Sequence, residues 1–151
     1  MWLLLALGGG PACHARGERE PRPLLHPLFS PGAVLQRDAV VPVWGWARPG
    51  EGIRVAFGGQ ELHGQADAEG AWRLELAAMP PSADPRTLTV TRASDGSSRR
   101  VDELVVGDVW LCSGQSNMQM GLGAASNGAA EIARAHVPLL RLGWVRRGMA
   151  W

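Results

Sequence analysis

Hydrophobic and polar positions alternate with period two through much of the first two thirds of the chain. In IRVAF, Ile53, Val55 and Phe57 fall on one face; in AWRLEL, Trp72, Leu74 and Leu76 do the same. That alternation predicts strands with one buried side. VVPVWGWA (40–47) is β-branched and aromatic and predicts another strand. Its Pro42 predicts an edge or a bulge, because proline donates no ladder hydrogen bond. Gly58-Gly59 predicts a tight hairpin turn into ELHGQA, since glycine tolerates positive φ. DAEG (67–70) and SDGSS (94–98) mark further turns, PPSADP a loop, and TLTVTRA and RRVDELVV two more strands. Residues 28–104 therefore predict an antiparallel β-sandwich built from short strands. No repeat of fixed period interrupts this pattern.

At Val105 the pattern changes. LVVGDVWLC is apolar along most of its length, which suits a strand covered on both faces in a parallel α/β sheet. The simpler alternative is one more sandwich strand. SGQSNMQMGLG then predicts a glycine-rich turn, and SNGAAEIARAH a short helix. Ser126 or Asn127 can cap that helix, Glu131 lies near its positive end, and Pro138 ends it. LLRLGWV predicts a further strand, so the order is that of an opening βαβ unit. Three regions follow: 1–27 as leader and linker, 28–104 as the sandwich, and 105–151 as the start of an α/β domain.

The leader has two readings. MWLLLALGGGPACHARGERE begins with a short apolar stretch, Trp2 to Leu7, followed by small residues up to Ala15. That is the layout of a secretory signal cleaved near Ala15, without its positive first region. A poorly structured N-terminus is the other reading. With a signal, the protein is secreted, lysosomal or periplasmic, and Cys13 leaves with the leader. ARGEREPRPLLHP, charged and broken by proline, reads as a linker.

Composition narrows the function classes. The 151 residues are 46% hydrophobic and 19% charged, enough apolar content for a packed core. The formal net charge is +1 and every one of the 15 basic residues is Arg, without a basic cluster. Nucleic acid is therefore not an expected partner. No apolar run is long enough for a membrane-spanning helix. Cys13 and Cys112 are too few for a disulfide scaffold. Of His14, His26, His63 and His136, none has metal-ligand spacing apart from the neighbouring Cys13-His14 pair in the leader, so no metal site is expected.

The chemistry centres on VVGDVWLCSGQSNMQM (105–120). A serine just past a parallel strand stands where α/β folds place their ligands. Glycines there permit a sharp turn and close approach to backbone, and a backbone N–H at such a turn can stabilise an oxyanion. Ser116 is thereby placed as a nucleophile that needs a base, normally histidine. A turn or a helix cap is the plainer reading of the same residues. Cys112 and Ser113 are competing nucleophiles, but Cys112 at a strand end reads as a small core residue and Ser113 lies closer to the strand. Asp108 is expected to satisfy turn donors, and His136 to flank the helix C-terminus. Trp44, Trp46, Trp72 and Trp110 read either as core or as a platform for stacking sugars.

VVGDVWLCSGQSNMQM resembles the nucleophile block of the sialate O-acetylesterase family, a branch of the SGNH hydrolase superfamily. PGAVLQRDAVVPVWGWARPGEGIRVAFGG, with its VLQR, VPVWG and PGE pieces, resembles that family's N-terminal β domain, and ASNGAAEIARAHVPLLRL the segment after the nucleophile. The resemblance covers roughly 28–142. It implies a β-sandwich followed by the truncated start of an SGNH-type, flavodoxin-like hydrolase domain. It implies Ser116 as the catalytic serine, its own N–H in the oxyanion hole, an O-acetylated sialic acid or related glycan as substrate, and no cofactor. Gln115 stands where many superfamily members carry Asp. The downstream glycine, asparagine and Asp-x-x-His block of the family are not found, and GWVRRGMAW does not resemble the family's continuation. The chain is accordingly expected to be an inactive fragment. The alternative is a non-catalytic β-sandwich module, carbohydrate-binding or interacting, with a vestigial hydrolase segment.

Overall fold

The computed structural model describes residues 22–143. The leader, with Cys13 and His14, lies outside the described residues, as do 144–151. Seven strands run in the order β1 (Val34–Gln36), β2 (Val41–Trp46), β3 (Gly52–Phe57), β4 (Gln60–Gln65), β5 (Ala71–Leu76), β6 (Ser82–Arg92) and β7 (Ser98–Gly107). Among the described residues one helix, α1 (Gly128–Arg134), follows two single 3-10 turns. Five strands form a sheet in the order β1-β7-β6-β3-β4, and β2 pairs with β5 in a second, two-stranded sheet. The molecule is thus sheet-rich, and both sheets contribute to one apolar core.

Alternation did its expected work in β3, where Ile53, Val55 and Phe57 are all buried. It pairs with β4 from Gly52↔Gln65 to Phe57↔Gln60, leaving Gly58-Gly59 as the two turn residues. Both have positive φ (58° and 83°), the geometry that makes a two-residue turn follow the strand twist. β5 buries Trp72 and Leu76 with Leu74 half-buried, and the Asp67 carbonyl accepts the Gly70 N–H across the turn before it. Pro42 sits in β2, which has a strand partner on one side only.

Four local expectations are corrected. PPSADP is not wholly a loop: β6 begins at Ser82 and reaches Arg92, with two register shifts between Ser82 and Leu88. Pro85 lies in that irregular stretch, where a missing N–H breaks no regular ladder. The pairing is also not purely antiparallel, because the three-residue β1 runs parallel to β7, Val34↔Val105 to Gln36↔Gly107. The strand expected through Cys112 stops at Gly107, where both neighbours run out: β1 ends at Gln36, and β6 starts at Ser82 opposite Val106. Finally, no strand forms over 139–143, the described part of LLRLGWV, so the βαβ order is not completed among the described residues.

The linker reading also changes over its described part. Leu25 is buried. The Trp46 N–H donates to Pro23 O at 3.1 Å and the His26 N–H to Trp44 O at 3.0 Å, so residues 23–26 line the free edge of β2. Trp72 Nε1 donates to Leu24 O at 2.9 Å. Trp72 is 3% exposed, so its burial is accompanied by the one polar partner an indole needs.

Candidate active site

β7 delivers the chain to the serine segment. Past Gly107 there is no further ladder, and the end of β1 and the residue after it take over the backbone groups. Gln36 Oε1 accepts the Val109 N–H at 2.9 Å, and the Arg37 N–H donates to Gly107 O at 2.9 Å. Asp108 does not satisfy turn donors as expected; its Oδ1 accepts from Arg37 Nε at 2.9 Å. Hydrogen bonds to Asp108, and then to Asp38, hold the Arg37 guanidinium above its ordinary pKa.

The next residues are open to solvent. Trp110 is 84% and Leu111 91% exposed, and Val109 is exposed too. The apolar run that predicted a strand covered on both sides therefore has neither side covered here. Cys112 is a free, exposed thiol rather than a core residue. Ser113 is exposed as well.

Ser116 opens a 3-10 turn, Ser116–Gln119. The Met118 N–H donates to Gln115 O at 2.9 Å and tightens that turn. Gly114 lets the chain fold back closely: a Cβ there would lie 2.6 Å from Met118 Cγ, so the methionine side chain would have to move. Ser116 itself is exposed. A short turn that presents a serine to solvent gives it the exposure a nucleophile needs.

No histidine hydrogen-bonds to it among the described residues. His26 stacks at 5.2 Å from Trp44 and 5.6 Å from Trp46. His63 Nε2 lies 3.1 Å from Glu61 Oε1 on β4. His136 is exposed just beyond α1, which ends at Arg134, short of Pro138. None of these three hydrogen-bonds to Ser116. The described residues also hold no cluster of three or more His, Cys, Asp or Glu arranged for a metal.

Asn127 precedes α1 at φ 61°, and its side chain makes no capping bond to the helix backbone. It instead reaches Glu131, which also pairs with Arg134. Arg141 ties the chain after the helix back to the sheet: Nη1 donates to Gly32 O at 2.8 Å and Glu103 O at 2.6 Å.

The tryptophans divide. Trp72 is core, Trp44 and Trp46 are half-buried, and Trp110 is exposed. Arg22 lies 5.6 Å from the Trp46 ring centroid, and Phe29 packs edge-on against Trp44 at 4.9 Å. Partial burial lowers the His26 pKa from its ordinary value, and its Nδ1 accepts the Leu28 N–H at 3.2 Å, a role only neutral imidazole can fill. In the unfolded chain this histidine titrates at about 6.5 and therefore binds the proton first. Stability is expected to fall as pH drops below that value and to level off beneath the lower folded pKa. Urea titrations across this window should show a slope that His26→Gln removes; an unchanged slope would exclude His26 as its source.

Gln36 and Arg37 are what the sequence reading passed over. They precede Asp108 and Val109 by more than seventy residues, so no local pattern links them. The only sequence signal was the VLQR piece, which had no assigned role.

No family model matches the chain. It is 32% identical to mouse (Mus musculus) sialate O-acetylesterase over 108 residues, 66% of this chain and 20% of that protein. It is 32% identical to the human (Homo sapiens) sialate O-acetylesterase over 111 residues, 66% of this chain and 21% of that one. The crystal structure of a carbohydrate acetylesterase from Xanthomonas citri superposes with a TM-score of 0.67 at 42% identity, covering 75% of this chain and 25% of that one. The chain thus spans about a fifth of the length of the curated relatives it matches.

Proposed function

The chain belongs, through the residues that align, to the sialate O-acetylesterase family, and on that premise we propose that it contributes the nucleophile of a carbohydrate O-acetylesterase. Ser116 attacks the acetyl carbonyl of an O-acetylated sialic acid or related sugar. Its own N–H helps hold the oxyanion, the sugar hydroxyl leaves, and water hydrolyses the acetyl-enzyme. The observation that carries this reading is the placement of Ser116, exposed at the head of a tight turn that follows the last strand of the sheet. In the finer architecture we propose, the two sheets are a β-sandwich and the residues after Gly107 open an SGNH-type hydrolase domain.

A serine hydroxyl is a weak nucleophile without a base, and none of the described histidines hydrogen-bonds to Ser116. The 151-residue chain is accordingly expected to release acetate from an O-acetylated sugar little above background. Residues 22–143 placed ahead of the rest of the Xanthomonas citri enzyme are expected to restore turnover. Robust activity of the short chain would instead promote His136 as base. An inactive but folded chimera would favour the non-catalytic, carbohydrate-binding reading.

We also propose export, on the apolar stretch from Trp2 to Leu7 and the small residues up to Ala15. Mass spectrometry of exported protein should find a mature chain beginning near Arg16; an intact Met1 would remove that inference.

A further inference from the structure

β7 leaves its sheet at Gly107, and the next two residues are held by the end of β1. Gln36 uses both ends of its amide: Oε1 accepts the Val109 N–H at 2.9 Å, and Nε2 donates to Arg37 O at 3.2 Å. The Arg37 backbone N–H donates to Gly107 O. Its guanidinium is shared between Asp108 Oδ1, 2.9 Å from Nε, and Asp38 Oδ2, 2.6 Å from Nη1. Residues 107, 108 and 109 are therefore each gripped by the same two neighbours.

These contacts do little for the core. Side chains of Arg37 and Asp108 are 40% and 56% exposed, and an exposed ion pair adds little to global stability. β7 is already paired along β6 from Ser98 to Val106, with register shifts beyond Val101. What the contacts do fix is direction. A planar guanidinium held between two carboxylates has one orientation, and a backbone N–H bound to a side chain is withdrawn from water. Beyond the grip the chain is exposed for several residues until the 3-10 turn at Ser116.

We propose that Gln36 and Arg37 are positioning residues that fix the direction in which the chain leaves the sheet, and so place the Ser116 segment relative to it. The consequence for catalysis rests on Ser116 being the nucleophile; the clasp itself does not.

The test is amide hydrogen exchange and backbone 15N relaxation over 108–116 in the 151-residue chain, with thermal unfolding of the sheet recorded alongside. Gln36→Leu is expected to speed Val109 exchange about tenfold, the loss of one backbone-to-side-chain hydrogen bond. Arg37→Ala and Asp108→Asn are expected to raise picosecond motion over 108–112. Gln36→Glu keeps an acceptor oxygen for the Val109 N–H but cannot donate to Arg37 O, so its exchange should fall between wild type and Gln36→Leu. The sheet's unfolding midpoint should barely move in any of them. Wild-type exchange and relaxation in all variants would overturn the proposal. So would cooperative loss of the whole sheet in Gln36→Leu and Arg37→Ala alike, which would make them structural staples. Serine reactivity is not read in this test, so a wrong nucleophile would leave its result standing.

Discussion

In the chimera joining residues 22–143 to the rest of the Xanthomonas citri enzyme, Ser116→Ala is expected to lower kcat by about 10⁴-fold or more, while the protein still folds. The loss is large because nucleophile and base act as a unit: with the hydroxyl gone, only binding and oxyanion contacts are left to assist attack by water. The fold is expected to survive because Ser116 is exposed, and among the described residues its side chain makes no hydrogen bond that alanine would remove. Cys112→Ala and Ser113→Ala should keep measurable turnover, since both lie before the turn in open chain. Acetate release from an O-acetylated sugar, with circular dichroism as the folding control, separates these outcomes. Comparable kcat values for Ser116→Ala and Ser113→Ala would mean that neither serine carries the chemistry.

Leu88→Ala is expected to destabilise the sheet by about 2–5 kcal/mol, the range for removing a buried leucine side chain from a packed core. Leu88 is 0% exposed. It sits opposite Val101 on β6, a strand flanked by β7 on one side and β3 on the other, so its cavity would lie where three strands meet. A domain stable by about 5–15 kcal/mol loses much of its margin to such a change. Leu111→Ala, at 91% exposure, should by contrast leave the urea midpoint within experimental error. Equal effects from both substitutions would mean that the core is not where the structure places it.

The sheet was legible because its strands bury one face each. Ile53, Val55 and Phe57 announce β3 by spacing alone, and Gly58-Gly59 announces its hairpin by backbone chemistry. The parallel pairing of β1 with β7 was not legible: three residues carry no periodicity, and their partner lies some seventy residues away. The apolar run 105–112 misled for a related reason. Hydrophobicity reports what a segment can bury, not whether a neighbour is present to bury it, and β7 ends where both its partners end. LLRLGWV was read as a strand on the same grounds, and no strand forms over its described part, 139–143. At the site, the Gln-Ser-Asn-Met motif singled out Ser116, and the turn at Ser116 agrees with the glycine-rich spacing. Gln36 and Arg37 escaped notice because an exposed polar pair acquires meaning only from the residues it touches, and those are set by the fold.

The most direct measurement is the site of covalent capture. The chimera is treated with a serine-directed phosphonate, digested, and the modified peptide sequenced by mass spectrometry. A single phosphonyl group on Ser116, formed in step with loss of acetate release and absent from Ser116→Ala, is the predicted result. Full inactivation with the group on any other residue, and Ser116 unmodified, would contradict the assignment of Ser116 as the nucleophile.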